Sequence, residues 1–202
     1  MKHSMRIIAL TLSLCLIIGL TPIAYAYSNS GSSLSSLPTL SGIPGVSTVG
    51  SGNLPVYTGP GMNYYRSASG KAAVGSGESV TVYGRVDDWV FIQYSAWYSS
   101  KNMYVTRFAY IPANQIDRGP KYFEVQFASV PISISAKARI GDEPSTTHYY
   151  NSFSNWENNS AIALARIYMN GCSWIYFESY ASSSQGYRPF RGFVQEQYVS
   201  LR

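Results

Sequence analysis

The sequence predicts an all-β fold made of two small β-modules, and three observations carry that expectation. First, Trp89-Val90-Phe91-Ile92-Gln93-Tyr94 returns 85 residues later as Trp174-Ile175-Tyr176-Phe177-Glu178-Ser179-Tyr180. Each run follows a polar turn, Val86-Asp87-Asp88 or Asn170-Gly171-Cys172-Ser173, and each precedes a second apolar run, Phe108-Ala109-Tyr110-Ile111 or Phe190-Arg191-Gly192-Phe193-Val194. Second, the chain is 15% aromatic with 18 tyrosines and only 12% charged, a composition that suits pleated, half-buried surfaces better than helix bundles. Third, stretches such as Glu78-Ser79-Val80-Thr81-Val82-Tyr83-Gly84 alternate polar and apolar residues, which sends every other side chain to one face of a strand.

The modules come after two segments of different character. Lys2, His3 and Arg6 precede an apolar run over residues 7–20, broken by Thr11, Ser13 and Gly19, and Ala24-Tyr25-Ala26 supplies a small-x-small cleavage pattern. Residues 1–26 therefore read as a secretory signal peptide cut after Ala26. The apolar run is shorter than the ~20 residues a spanning helix needs, so no membrane span is expected after cleavage. Leu14 is too large for the position before a lipoprotein cysteine at Cys15. Residues 27–52 hold nine serines and five glycines, and no charge appears between Arg6 and Arg66. Such a stretch has little to bury against its ordering entropy, so a flexible, disordered Ser/Gly-rich linker is expected there, although Leu34, Leu37, Leu40 and Ile43 recur three apart.

The first module is expected over residues 53–117. Leu54-Pro55-Val56-Tyr57 reads as a short edge strand, Thr58-Gly59-Pro60-Gly61 as a turn and Tyr64-Tyr65-Arg66 as extended chain. In the strand opened by Trp89, parity puts Val90, Ile92 and Tyr94 on the core face, and Trp89, Phe91 and onward to Trp97 on the other. Residues 103–111 return as its hairpin partner, and residues 112–116 close with a helical turn. The second module is expected over residues 121–202. Residues 123–127 and 132–136 read as strands, and Asp142-Glu143-Pro144 with Tyr149-Tyr150-Asn151 takes the place of the earlier turn and tyrosines. Residues 161–168 are rich in alanine but stand where the repeat demands a strand.

This ordered set of pieces resembles the bacterial SH3-like (SH3b) domain family. The residues that carry the resemblance are Val56-Tyr57-Thr58-Gly59-Pro60-Gly61, Val80-Thr81-Val82, Asp88-Trp89, Ile92 and Ala109-Tyr110-Ile111. In the second copy Asp142-Glu143-Pro144 replaces the Gly-Pro-Gly turn, and Cys172-Ser173 replaces the usual Asn/Asp-Gly before Trp174. The resemblance implies two tandem small SH3-like β-barrels, of a kind found in secreted bacterial proteins that bind cell-wall peptide or glycan.

Chemistry is scarce in the mature chain. Loss of Lys2 and Arg6 leaves thirteen basic against ten acidic residues, a net charge of +3, too small and too evenly spread for nucleic acid. His148 and Cys172 are the one histidine and the one cysteine, which excludes an intramolecular disulfide and offers no zinc ligand cluster. A secreted chain without disulfides suits a bacterial envelope, so the expected location is extracellular, in association with the cell wall. Asp87-Asp88 and Asp142-Glu143 are paired carboxylates, but both fall in predicted turns where acids serve turn geometry. No catalytic residue, metal or cofactor is expected. The candidate site is aromatic: Tyr57, Tyr64, Tyr65, Trp89, Phe91 and Trp97 in the first copy, and Tyr149, Tyr150, Trp174 and Tyr176 in the second. Such faces stack on sugars or extended peptides, so the expected ligand is peptidoglycan peptide or envelope glycan. The alternative is a structural spacer that binds a secreted or envelope protein, its aromatics completing two small cores instead.

Overall fold

Residues 33–117, 124–149 and 160–202 are described by the computed structural model; the expected signal peptide, Tyr150 and Phe123 lie outside them. The strands in chain order are β1 (Ile43–Ser47), β2 (Asn53–Pro55), β3 (Ala73–Gly75), β4 (Ser79–Val86), β5 (Trp89–Tyr98) and β6 (Met103–Pro112). They continue as β7 (Val130–Ile134), β8 (Ile140–Gly141), β9 (Ser160–Met169), β10 (Cys172–Ser183), β11 (Gly186–Gln195) and β12 (Val199–Leu201). One sheet has the order β1-β4-β5-β6 and the other β12-β7-β9-β10-β11-β8, with β2-β3 as a separate pair. Every pairing between these strands is antiparallel. The fold is thus predominantly β, as expected, but none of the sheets closes into a barrel.

Strand parity decides where the cores lie. Val90, Ile92 and Tyr94 of β5 join Val80 and Val82 of β4 in one apolar core. Ile175 and Phe177 of β10 join Ala161, Ala163, Phe190 and Val194 in a second. The opposite face of each sheet was expected to look outward, and this is corrected. Phe91, Phe108 and Tyr110 from the first sheet meet Trp174, Tyr176 and Phe193 from the second in a third core between them. Phe91 stacks on Tyr110 at 4.8 Å and on Tyr176 at 4.9 Å between ring centroids. Two sheets that are each apolar on both faces cover the outer pair of faces here by packing on one another.

A bulge feeds each sheet into this shared core. Tyr83 is the extra residue where the β4–β5 register shifts, and Leu164 is the extra residue where β9–β10 shifts. Both side chains are buried in the third core, as expected of a residue that a bulge re-aims.

The stretch expected to be a flexible linker is, over residues 33–52, an ordered strap. Leu37 is buried in the second half's core, Leu40 in the shared core and Val46 in the first half's core. Leu40 N–H donates to the Arg166 carbonyl at 2.8 Å and Arg166 N–H to the Pro38 carbonyl at 2.8 Å, and β1 then pairs with β4. Three anchored apolar side chains and paired backbone offset the ordering entropy that the Ser/Gly composition raises. The first half's sheet therefore begins at β1, ahead of residue 53. A second correction concerns residues 124–127: only Glu124 bridges, to Arg85, and Val125 and Phe127 pack as loop side chains on the shared core. Residues 161–168, in contrast, lie within β9 despite their alanines.

Candidate functional site

The expected aromatic residues are scattered by the fold. Trp174 is 2% exposed and its Nε1 donates to the Met169 carbonyl at 3.1 Å. With Phe91 and Tyr176 it belongs to the inter-sheet core and presents no surface to a ligand. Trp89 is half-buried edge-on to Tyr57, with ring centroids 5.5 Å apart, and the Arg66 guanidinium sits 5.3 Å above Tyr57.

Tyr64 and Tyr65 tie the halves together. The Tyr64 hydroxyl donates to Glu178 Oε2 at 2.9 Å, while Tyr65 N–H donates to the Pro189 carbonyl at 2.9 Å and its ring meets Phe190 edge-on. Gly59 makes this possible, because a Cβ there would collide with the Tyr64 ring. Around Glu178, Arg191 Nε donates at 2.7 Å and Arg191 Nη1 donates to the Tyr110 hydroxyl at 3.0 Å. Burial alone would lower the affinity of Arg191 for its proton, but Tyr110, Tyr176 and Glu178 outweigh it and hold the guanidinium charged. Burial drives the Tyr64 hydroxyl well above its ordinary value, so it stays a donor. This cluster is a clasp rather than an open site.

Trp97 is the expected site residue left open. At the outer end of the β5–β6 hairpin it is 51% exposed and meets Tyr104, 70% exposed, edge-on at 5.0 Å. The pair stands at the edge of a groove of about 680 Å³ beside β5, lined also by Tyr98, Lys71, Glu78 and Arg107. Tyr149, the other exposed candidate, carries the Arg139 guanidinium 4.5 Å from its ring centre.

Arg107 also reaches a second cavity of about 250 Å³, where the loop after β8 meets residues 65–69 and the hairpin. Here lie the residues that turn chemistry had explained away. Asp142 is buried and receives Arg107 Nη1 at 2.9 Å and 2.7 Å on its two oxygens and the Ser67 hydroxyl at 2.5 Å. Glu143 is buried beside it, 3.5 Å from His148 Nδ1. Burial first, and then the neighbouring Asp142, raise the Glu143 carboxyl to about 8 against a smaller lowering by Arg107. Ala68 and Ser69, which line the cavity, both have positive φ, at 51° and 54°, a strained setting for residues with a Cβ. The sequence held one signal for this cluster: an acidic pair followed within six residues by His148, the one histidine after His3. Arg107 and Ser67 gave none, since only the fold brings them 35 and 75 residues along the chain to Asp142.

Local packing fixes the loop. β8 pairs with Phe193 and Val194 of β11, and a Cβ on Gly192 would collide with the Phe190 ring and the Gly141 carbonyl. Among the described residues no group of three His, Cys, Asp or Glu side chains is placed to hold a metal ion. Compared with known proteins, the chain matches no family model, no curated protein and no solved structure.

Proposed function

We propose that this chain is a secreted, non-catalytic binding protein of the bacterial envelope, built from two SH3-like modules, that takes wall peptide or envelope glycan in the groove beside β5. The observation that carries the reading is the open Trp97–Tyr104 pair at the edge of that groove. Two exposed aromatic rings over a polar trough, with Lys71 and Glu78 along it, suit a ligand that alternates apolar faces and hydrogen-bonding groups. The reading of two related modules is supported by pairing. In each half a bulged strand pairs with a Trp-containing strand, then a return strand, a 3-10 turn (Ala113–Gln115 or Glu196–Tyr198) and a closing residue that pairs back, Ile116 to Thr48 or Val199 to Ile134. Secretion is supported by the order of charge, apolar run and small residues over 1–26.

Pull-down on purified, protein-free cell walls tests the function. Wild type is expected to be retained, and the Trp97→Ala, Tyr104→Ala double variant to lose on the order of tenfold or more, since stacking rings contribute about 0.5–1.5 kcal/mol each beyond their area. Equal retention of the two proteins refutes the groove. A spacer that docks a protein partner is the second reading, favoured by the burial of Phe91, Trp174 and Tyr176 between the sheets. It expects no wall retention and a specific envelope protein in the eluate.

A further inference from the structure

Among the described residues, Glu143 carries the buried polar side-chain atom left without a hydrogen-bond partner. It is 6% exposed, and its Oε1 is buried with no hydrogen-bond donor among the described residues. Its neighbour Asp142 is met on both oxygens by Arg107 and on one by Ser67. The His148 Nδ1 approaches Glu143 Oε1 only to 3.5 Å and lies 3.3 Å from Thr147 Oγ1. Native folds rarely bury an acceptor without a donor, and Glu143 is one of the residues that line a cavity of about 250 Å³. That volume is about eight times what one water occupies in the liquid.

The chemistry of the walls selects the missing donor. Arg107 Nη1 and Asp142 pair with one another, so ionisation of Glu143, which burial disfavours, would leave a negative charge without a partner of its own. The rings of Tyr65, Tyr98 and Tyr149 line the same space, and Tyr98 stands edge-on to His148 at 5.5 Å. Aromatic faces attract cations and tolerate aliphatic stems, and a desolvated carboxylate prefers a charged donor to a neutral one.

We propose that this cavity binds a primary ammonium group on a short aliphatic stem, with Glu143 as its counter-ion and the tyrosine rings as its walls. The site lies where the two halves meet, apart from the Trp97–Tyr104 pair, and it stands without the wall-binding reading. The ammonium supplies the donor that Oε1 lacks and balances the charge that burial disfavours.

The test titrates n-pentylammonium, 1-pentanol and pentanoate into the whole secreted chain while the His148 and tyrosine ring resonances are followed by NMR. Saturable shifts with pentylammonium, weaker by about tenfold or more for Glu143→Gln, are expected, since loss of a charge-assisted partner is at least that large an effect. Unsaturable shifts with pentylammonium overturn the proposal. So does equal affinity for 1-pentanol, or an unchanged affinity in a folded Glu143→Gln protein. Should that variant fail to fold, the amine-against-alcohol comparison on wild type decides alone. No wall enters this titration and no amine enters the wall pull-down, so the two readings fail separately.

Discussion

Glu143 ties the chemistry of one side chain to the stability of the whole fold. Its carboxyl is raised from the usual 4.5 to about 8, by burial first and by Asp142 second. Between those values the folded protein holds a proton that the unfolded chain has released. The associated stability is fully present below about pH 4.5 and is lost as pH rises through about 8. Urea unfolding of wild type is therefore expected to show a midpoint that falls between about pH 5 and about pH 8. Glu143→Gln, which cannot ionise, should remove most of that fall. Parallel pH slopes in the two proteins would show that Glu143 is already ionised in the folded state. Asp142 differs in its partners, because Arg107 Nη1 and the Ser67 hydroxyl satisfy a buried carboxylate in a way that an imidazole at 3.5 Å does not.

At the scale of the element, the strap over residues 33–52 is the part whose role most exceeds its composition. It reaches all three cores, burying Leu37 with Leu34 packed beside it, Leu40 and Val46. Its strand β1 also covers the edge of β4, which would otherwise present unpaired backbone to other chains. Leu40→Ala is expected to cost about 2–5 kcal/mol, the range for a buried leucine, as measured by denaturant unfolding. A loss below about 0.5 kcal/mol, typical of surface changes, would mean that the strap rests on the sheets without bracing them. The bulges at Tyr83 and Leu164 belong to the same scale: one extra residue in each strand turns a large side chain from its own sheet toward the other.

For the whole molecule, the shared core makes the two sheets depend on each other. Phe91, Phe108 and Tyr110 on one side, and Trp174, Tyr176 and Phe193 on the other, are covered only when both sheets are present. The Tyr64–Glu178–Arg191 clasp crosses the same boundary. A chain cut to residues 33–117 is expected to lack a stable fold and to aggregate through that exposed aromatic face. The full chain should unfold in one cooperative transition. Size-exclusion chromatography and thermal unfolding of both proteins check this. A monomeric, cooperatively folding fragment would restore the picture of two independent modules.

The sequence alone determined the strand class, the parity of β5 and β10, the hairpins and the 3-10 turn after β6, because alternation, turn residues and the repeat of the Trp-opened strand are local signals. It also placed β9 against the pull of its alanines, since Trp174 needed a partner strand in the same order as Trp89. Tertiary structure decided what each face meets. Parity says that Phe91 and Tyr176 oppose Val90 and Ile175; it does not say whether water, a ligand or another sheet lies beyond, and here another sheet does. The same holds for the strap, whose leucines acquire meaning only from cores built later in the chain. It holds for Asp142 and Glu143 too, whose burial comes from Arg107, Ser67 and residues 65–69 folding over a loop that local chemistry reads as a turn. Burial is a property of neighbours, and those neighbours are far away in sequence.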